Sequence, residues 1–480
     1  MKTISLKWFW LLITPAVLFL LSCEKEQIDP KPDPGLVEIQ KVNQFIYSDV
    51  KDYYLWTSTI DWPRIDPENE SNPFGFFEKL VYGQDRWSML TDDAESFYNR
   101  LDGVGTTFGY ELIWGHLLNT KSLYAIVLYV YPNSPAEKAG LQRGDFLVAI
   151  NGNENITEEN YMNLYNAPSI TLGRAYLTNV GSLAMDSKPV YMEAVLMYEN
   201  PVIKDTVVVK GTQKIGYLCY TNYTRESENR LLEVFTRFKA EGVTDVVLDL
   251  RYNGGGYAET SRLLSSMLAP ESVAKRKDIF LTQTWNQELT GYFKRTGTDT
   301  NEYFMDTLSV NMGLSRLYVL TLSFTASASE ATIMGLKPYM DVVQIGEPTH
   351  GKYYGGTLIS PMVYDSRKKE WVTDKEIENW MMYLMVYRYA DRDGDTSFSG
   401  GLVPNIYAEE AYEYLLPQLG DERDPLFGKA IELITGESVS TRSAKSLPHP
   451  HTIDNVRLRS PLNGKMIDKL TNTKIQHHLF

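Results

Sequence analysis

The spacing of apolar positions divides the chain into stretches of different character. From Val37 to about Leu101, large aromatics recur at short, uneven intervals (Phe45, Tyr53, Tyr54, Trp56, Trp62, Phe74, Phe76, Phe77, Tyr82, Trp87). This predicts short helices packed as a small bundle, with most of these rings forming its core rather than a ligand box. From about Gly103 to Met197 the runs are strand-like, at Thr107–Leu112, Ala125–Tyr131 and Phe146–Ile150. From about Val202 to Leu419 strand runs alternate with helical spacing. The pattern predicts strands at Val246–Leu250, Leu317–Leu322 and Val342–Ile345, and helices at Ala258–Leu268 and Ala328–Tyr339. Such β-α-β alternation implies a mainly parallel sheet with helical crossovers, in which sites gather at the carboxyl ends of strands. After about Ser438 the chain holds seven Lys/Arg against two Asp/Glu and few apolar runs, which predicts a peripheral tail. The expected division is 1–22 export signal, 23–36 tether, 37–101 helical domain, 102–200 β domain, 201–420 β-α-β domain and 421–480 C-terminal extension.

Composition adds little to this but excludes some functions. With 480 residues, 43% hydrophobic and 22% charged, the chain is that of a multidomain globular protein. Its net charge of −14 argues against a nucleic-acid partner, since phosphate binding needs a basic footprint. At the N-terminus Lys2 and Lys7 precede an apolar run, Trp8–Leu21. The run is too short to span a ~30 Å hydrocarbon layer comfortably and reads as a signal peptide. It ends in Leu20-Leu21-Ser22-Cys23, which resembles a bacterial lipobox, with Cys23 as the lipidated residue; an ordinary secretory signal with an incidental cysteine is the alternative. Pro30, Pro32 and Pro34 among charges mark a tether. The remaining cysteine, Cys219, lies in a predicted strand, Ile215–Tyr220, and suits a small core residue. No Cys/His metal spacing is present; Asp391-x-Asp393-Gly394-Asp395 begins like a calcium loop, but its twelfth position is Leu402, so a turn is expected.

Three loops follow predicted strands. Asp249-Leu250-Arg251-Tyr252-Asn253-Gly254-Gly255-Gly256 ends a buried strand in three glycines, which let backbone N–H groups face a bound group. Thr325-Ala326-Ser327-Ala328-Ser329-Glu330 opens a helix, where the dipole favours negative charge. Ser327-x-x-Glu330 is also a capping box needing no chemistry. Gly346-Glu347-Pro348-Thr349-His350-Gly351-Lys352 sets a lysine after a strand; solvent-exposed it is a poor base, desolvated it can take a proton.

Two resemblances join these pieces. Ser134-Pro135-Ala136, Ala139-Gly140-Leu141 and Gly144-Asp145, followed by Ile150-Asn151-Gly152, look like a circularly permuted bacterial PDZ domain. This implies binding of peptide ends by strand addition; Thr107, Phe108, Gly109 and Tyr110 are the candidate edge and carboxylate loop. The three later loops, in order, resemble the S41 family, the C-terminal processing proteases: a DLRxNxGG-type loop, TASASE and GExTxGK, with Ser327 and Lys352 separated by 25 positions. The resemblance implies an α/β multidomain protein: a small helical N-terminal domain, a PDZ-like β domain and a β-α-β (ClpP/crotonase-like) serine protease domain. It also implies Ser327 as nucleophile and Lys352 as general base, with Gly255, Gly256 and Ala328 as oxyanion-hole candidates and no cofactor or metal.

The family's Asn-Asn-Pro is Tyr252-Asn253-Gly254 here, and a Gln often found four residues after the lysine is Gly356. Glu330, His350 and Tyr353 are the candidates to orient Lys352 in its stead. The expected protein is an envelope endopeptidase acting on protein or peptide substrates. It would be lipid-anchored at a bacterial membrane, expected to be the outer one, and periplasmic or surface-facing; Glu24-Lys25-Glu26 after Cys23 suits the surface side. The rivals are an inactive peptide-binding lipoprotein on the same scaffold and a crotonase-like acyl-CoA enzyme, the latter at odds with export.

Overall fold

The computed structural model describes residues 34–116, 122–153, 155–177, 183–396, 398–410, 416–439 and 465–468. The expected signal peptide, Cys23 and the expected tether up to residue 33 lie outside them.

The N-terminal unit has three helices, α1 (Pro34–Tyr53), α2 (Pro73–Leu80) and α3 (Ala94–Leu101), and one short strand, β1 (Met89–Thr91). Asn72 and Asp93 cap α2 and α3 by accepting the amides of Phe74 and Ser96. Phe45, Tyr53, Tyr54, Phe76 and Phe77 are buried here, while Phe74 is exposed. The unit is not purely helical: β1 pairs with a strand of the last unit.

The second unit is a small β structure. Its strands are β2 (Val104–Thr107), β3 (Tyr110–His116), β4 (Leu123–Val130), β5 (Phe146–Ile150), β6 (Ser169–Leu177), β7 (Leu183–Met185), β8 (Val190–Glu193) and β9 (Val195–Tyr198), with one-turn helices α4 (Pro135–Lys138) and α5 (Asn163–Asn166). The main sheet runs β3-β4-β5-β6-β7, β8 also pairs with β6, and β2 pairs with β9. The single strand expected over Thr107–Leu112 is broken. Gly109 sits at φ +80°, and a Cβ there would lie 2.2 Å from Ser134 Cβ, so the chain turns between β2 and β3.

The third unit carries the central sheet. Its elements are β10 (Val202–Lys210), β11 (Gln213–Tyr220), α6 (Glu228–Glu241), β12 (Asp245–Asp249), β13 (Gly255–Tyr257), α7 (Ala258–Leu268), α8 (Glu271–Arg276), β14 (Ile279–Trp285), α9 (Gln287–Thr296), β15 (Glu302–Tyr303), β16 (Arg316–Thr321), α10 (Ala328–Leu336), β17 (Asp341–Gly346), β18 (Tyr354–Ile359), β19 (Met362–Asp365), β20 (Glu370–Thr373), β21 (Met381–Ala390), β22 (Ile406–Tyr407), α11 (Pro425–Thr435) and β23 (Lys465–Asp468). One sheet has the order β10-β11-β12-β16-β17-β22, parallel from β11 onward. A second, mostly antiparallel, runs β13-β23-β18-β21-β14-β15. Cys219 is buried in β11.

The expected C-terminal extension after Gly420 is partly built in, and β23 lies within the stretch from about Ser438 expected to be peripheral. Leu426, Phe427, Ala430 and Ile431 of α11 face the core at helical spacing. Asp424 caps α11 and pairs with Arg251, and β23 enters the second sheet. The surrounding polar residues obscure this short amphipathic segment.

Candidate active site

The loops after β12, β16 and β17 meet at the carboxyl edge of the parallel sheet. Thr325 Oγ1 donates to Leu250 O (2.8 Å) and the Ala326 amide to Asn253 O (3.1 Å), joining the first two loops. The His350 amide donates to Thr325 O (2.9 Å), joining the third.

Ser327 begins α10 with φ 61° and ψ −111°, a conformation rare for a residue with a side chain and one that stores strain. It holds the N-cap position with Glu330 at N3, and the Glu330 carboxylate accepts the Ser327 amide at 2.7 Å. Ser327 is fully buried, and beyond the capping box its Oγ has no hydrogen-bond partner. Ala328, next in line, offers one of the first-turn amides that lack an intrahelical acceptor.

Glu330 does more than cap. Its two oxygens also accept Thr349 Oγ1 (2.6 Å), the Gly351 amide (2.6 Å) and the Lys352 amide (2.9 Å). The carboxylate therefore clamps the lysine loop to the serine loop through the backbone. Burial pushes its carboxyl up to about 7, against the opposing pull of these donors.

Lys352 is fully buried. Its Nζ lies 3.3 Å from Tyr383 Oη, 5.6 Å from the centre of that ring and 5.5 Å from the centre of the Trp87 ring. The two rings pack around the buried amine and keep bulk water from it. Tyr389, also on β21, donates its hydroxyl to the carbonyls of both Ser327 (3.0 Å) and Lys352 (2.6 Å).

Of the three residues expected to orient the lysine, Glu330 holds its backbone. The His350 backbone is tied to Thr325, and the Tyr353 ring packs on Tyr354 (4.4 Å) and Phe398 (5.4 Å). The side chain beside the ammonium is Tyr383. Gly356 explains why: a Cβ there would lie 2.4 Å from Met385 Cε and 2.6 Å from the Tyr383 ring. The ring occupies the space that a longer residue at 356 would fill. Neither Tyr383 nor Trp87 is reachable from the loop motifs. The only signal is tyrosine at alternate positions of Met381–Ala390, which aims 383, 387 and 389 to one face.

The glycine loop differs from expectation at Gly255. Its amide donates to Asn253 Oδ1 (2.9 Å) and is spent there, so in this conformation it is not an oxyanion donor. Gly256 keeps its candidacy by direction. Gly255 O and the Tyr257 amide bond to Tyr223, so the intervening polar groups of Gly256 face the opposite way, toward β23.

The PDZ-like loop is likewise mostly self-satisfied. Thr107 Oγ1 accepts the Gly109 amide, Phe108 O and Gly109 O accept the Ala136 and Tyr131 amides, and Tyr110 Oη donates to Leu164 O. Phe108 is wholly buried, so it is a core residue and not a peptide contact. Thr107 and Tyr110 do line a cavity of about 350 Å³ together with Arg100, Glu111 and Leu196, between α3 and the β2–β9 pair. Neither Ser327 nor Lys352 lines it.

A buried polar network flanks the glycine loop. Arg251 donates to Asp249 (2.9 Å), Glu410 (2.9 Å) and both oxygens of Asp424 (2.8 and 2.9 Å). Arg143, from the second unit, pairs with the same Glu410 and donates to Tyr252 Oη at 2.6 Å. Although burial opposes it, the two guanidinium groups hold the Glu410 carboxyl down at about 2. Among the described residues, no group of three or more His, Cys, Asp or Glu is placed to hold a metal ion.

Residues 214–408 match the description of peptidase family S41, residues 41–89 that of the peptidase S41 N-terminal domain, and residues 126–162 that of a PDZ domain. The chain belongs to peptidase family S41. Among its S41 relatives, the chloroplastic C-terminal processing peptidase of Tetradesmus obliquus is 25% identical over 241 residues, covering 47% of each chain. The carboxy-terminal processing protease CtpA of Bacillus subtilis is 24% identical over 307 residues, covering 62% of this chain and 56% of its own. The chain thus spans about half the length of the curated relatives it matches. A solved Bacteroides fragilis structure assigned to S41 aligns with a TM-score of 0.65 at 25% identity, covering 82% of this chain and 97% of the other. The S41 assignment fits a mixed α/β chain of N-terminal, PDZ and protease domains.

Proposed function

We propose that this chain is a serine endopeptidase in which Ser327 is the nucleophile and Lys352 the general base. The observation that carries the reading is the pairing of a serine on strained backbone, its hydroxyl donating to no group, with a buried lysine on a loop fixed to the same carboxylate, Glu330. Full burial away from bulk water is the setting in which a lysine can act as a base. In the reaction Lys352 Nζ takes the Ser327 hydroxyl proton as Oγ attacks the scissile carbonyl. The Ala328 amide stabilises the resulting oxyanion, an interaction typically worth about 3 kcal/mol. The protonated lysine then returns the proton to the leaving amine. Ser327 Oγ donates to no group at rest, so the dyad closes when substrate arrives, as catalytic contacts often do.

The PDZ domain is proposed to recognise substrate C-termini, with the cavity bordered by Thr107, Tyr110 and Arg100 as its entry. The lipobox-like Leu20–Cys23 supports anchoring at a bacterial envelope membrane, facing away from the cytoplasm. Protease shaving of intact cells separates the two faces: digestion indicates surface display, and full protection refutes it.

Hydrolysis of an unfolded protein substrate by wild type, Ser327→Ala and Lys352→Ala tests the chemistry. Both variants are expected to lose activity by at least about 10³-fold. Full activity in either would overturn the Ser-Lys reading. An inactive wild type that still captures peptides would favour the peptide-binding alternative, for which the blocked Gly255 amide is the motivating observation.

A further inference from the structure

The short strand β23 has an unusual position. Lys465–Asp468 runs parallel to both neighbours, between β13 and β18. Met466 stands opposite Gly256, and Ile467 stands opposite both Tyr257 and Gly356. β13 is the end of the glycine loop, and β18 begins two residues after Lys352. The slot therefore has one wall from each of two catalytic loops, and the backbone of Gly256 faces into it. With β23 removed, it would present two unpaired strand edges beside the dyad. Such edges capture an extended peptide by main-chain pairing.

The occupant is a weak strand by its own sequence. It has four residues, charged at both ends, with Ile467 buried in the main core. Ser327 and Lys352 are both fully buried, so no polypeptide reaches them without rearrangement. We propose that the β13–β18 slot is the peptide-binding groove of the active site and that Lys465–Asp468 is a tethered competitor occupying it. The ligand class is an extended peptide with a branched aliphatic residue at the Ile467 position. Its catalytic consequence rests on the peptidase reading above; the occupancy itself does not.

A tethered segment acts at an effective concentration of about 1 mM. If the strand alone binds with a Kd of about 0.1 mM, the open fraction of sites falls about tenfold. The test compares the full chain, a chain ending at Val439, and full-length Ile467→Asp. Both altered chains are expected to cleave an unfolded protein about tenfold faster than the full chain. A synthetic peptide of residues 462–471 is expected to inhibit the shortened chain. A fluorescein-labelled copy should bind the shortened Ser327→Ala protein in anisotropy, and the same peptide with Ile467→Asp should not compete. Unchanged rates, or no peptide binding, would overturn the proposal. So would a lower rate with a lower melting temperature in both altered chains, which would make β23 a structural strand. If nothing cleaves any substrate, the peptidase reading fails, and the anisotropy arm still decides the occupancy.

Discussion

At the scale of single residues, the site turns on two side chains that serve Lys352 differently. Tyr383 sits beside the ammonium and positions it. Tyr383→Phe keeps the ring and deletes the hydroxyl, so kcat is expected to fall about tenfold with KM little changed; steady-state kinetics at several pH values checks this. Tyr383→Gln, which returns an amide to the neighbourhood, is expected to retain more activity than Tyr383→Ala. Glu330 acts through backbone amides. Its carboxyl titrates near 7 in the folded protein against 4.5 unperturbed. The folded chain therefore holds an extra proton between those values. Its contribution to stability is fully present below pH 4.5 and is lost as pH rises through about 7. Activity has the opposite demand, because only the ionised carboxylate can accept all four donors. The pH–rate profile of kcat/KM is expected to show a limb near 7 that Glu330→Gln removes, at a lower rate throughout. The amide of that variant would face donors, destabilising the fold by about 1–3 kcal/mol.

At the scale of elements, legibility followed the range of the interactions. The helix Ala258–Leu268 and strands β12, β16 and β17 follow closely from the sequence; β12 and β16 are local runs of buried apolar residues with polar ends. Ser327 and Lys352 were singled out by the order of their loops, and the structure brings those loops together. β21 was not foreseen. Met381–Ala390 is buried on both faces save Arg388, and such a run has no period that separates strand from helix. β13 and β23 are three and four residues long and exist only through distant partners. Trp87 and Tyr383 were missed as lysine neighbours for the same reason: their place depends on β1 and β18 docking against β21. This packing gives an element-level expectation. Gly356→Gln, which restores the residue common in the family, should not rescue anything. The added side chain would collide with Tyr383 and Met385 and lower stability by about 2–3 kcal/mol, measured by denaturant unfolding. Pairing it with Tyr383→Ala is expected to recover part of that loss.

At the scale of the whole molecule, the PDZ and protease domains are joined through a charge cluster as well as by contact. Arg143 enters from the PDZ side, and Glu410 shares it with Arg251. Removing one partner from a buried ionic cluster is costly, so Arg143→Ala is expected to lower stability by about 3–5 kcal/mol, seen as a lower melting temperature. Glu410 is held at about 2 when folded, so its contribution is present above pH 4.5 and lost as pH falls toward 2. In Arg143→Ala that loss should begin at higher pH, which acid titration followed by circular dichroism would detect.

The strand β1 carries one more implication. Met89 pairs with Tyr383, and Trp87, two positions earlier, closes the lysine pocket. These partners lie roughly 300 positions apart, and contacts at such separation form late in folding. A chain growing from its N-terminus therefore has its serine loop before the Tyr383 wall of the lysine pocket is in place. Until the two ends meet, Lys352 lacks the rings that enclose it. The order of assembly therefore leaves this pocket among the last parts of the molecule to close.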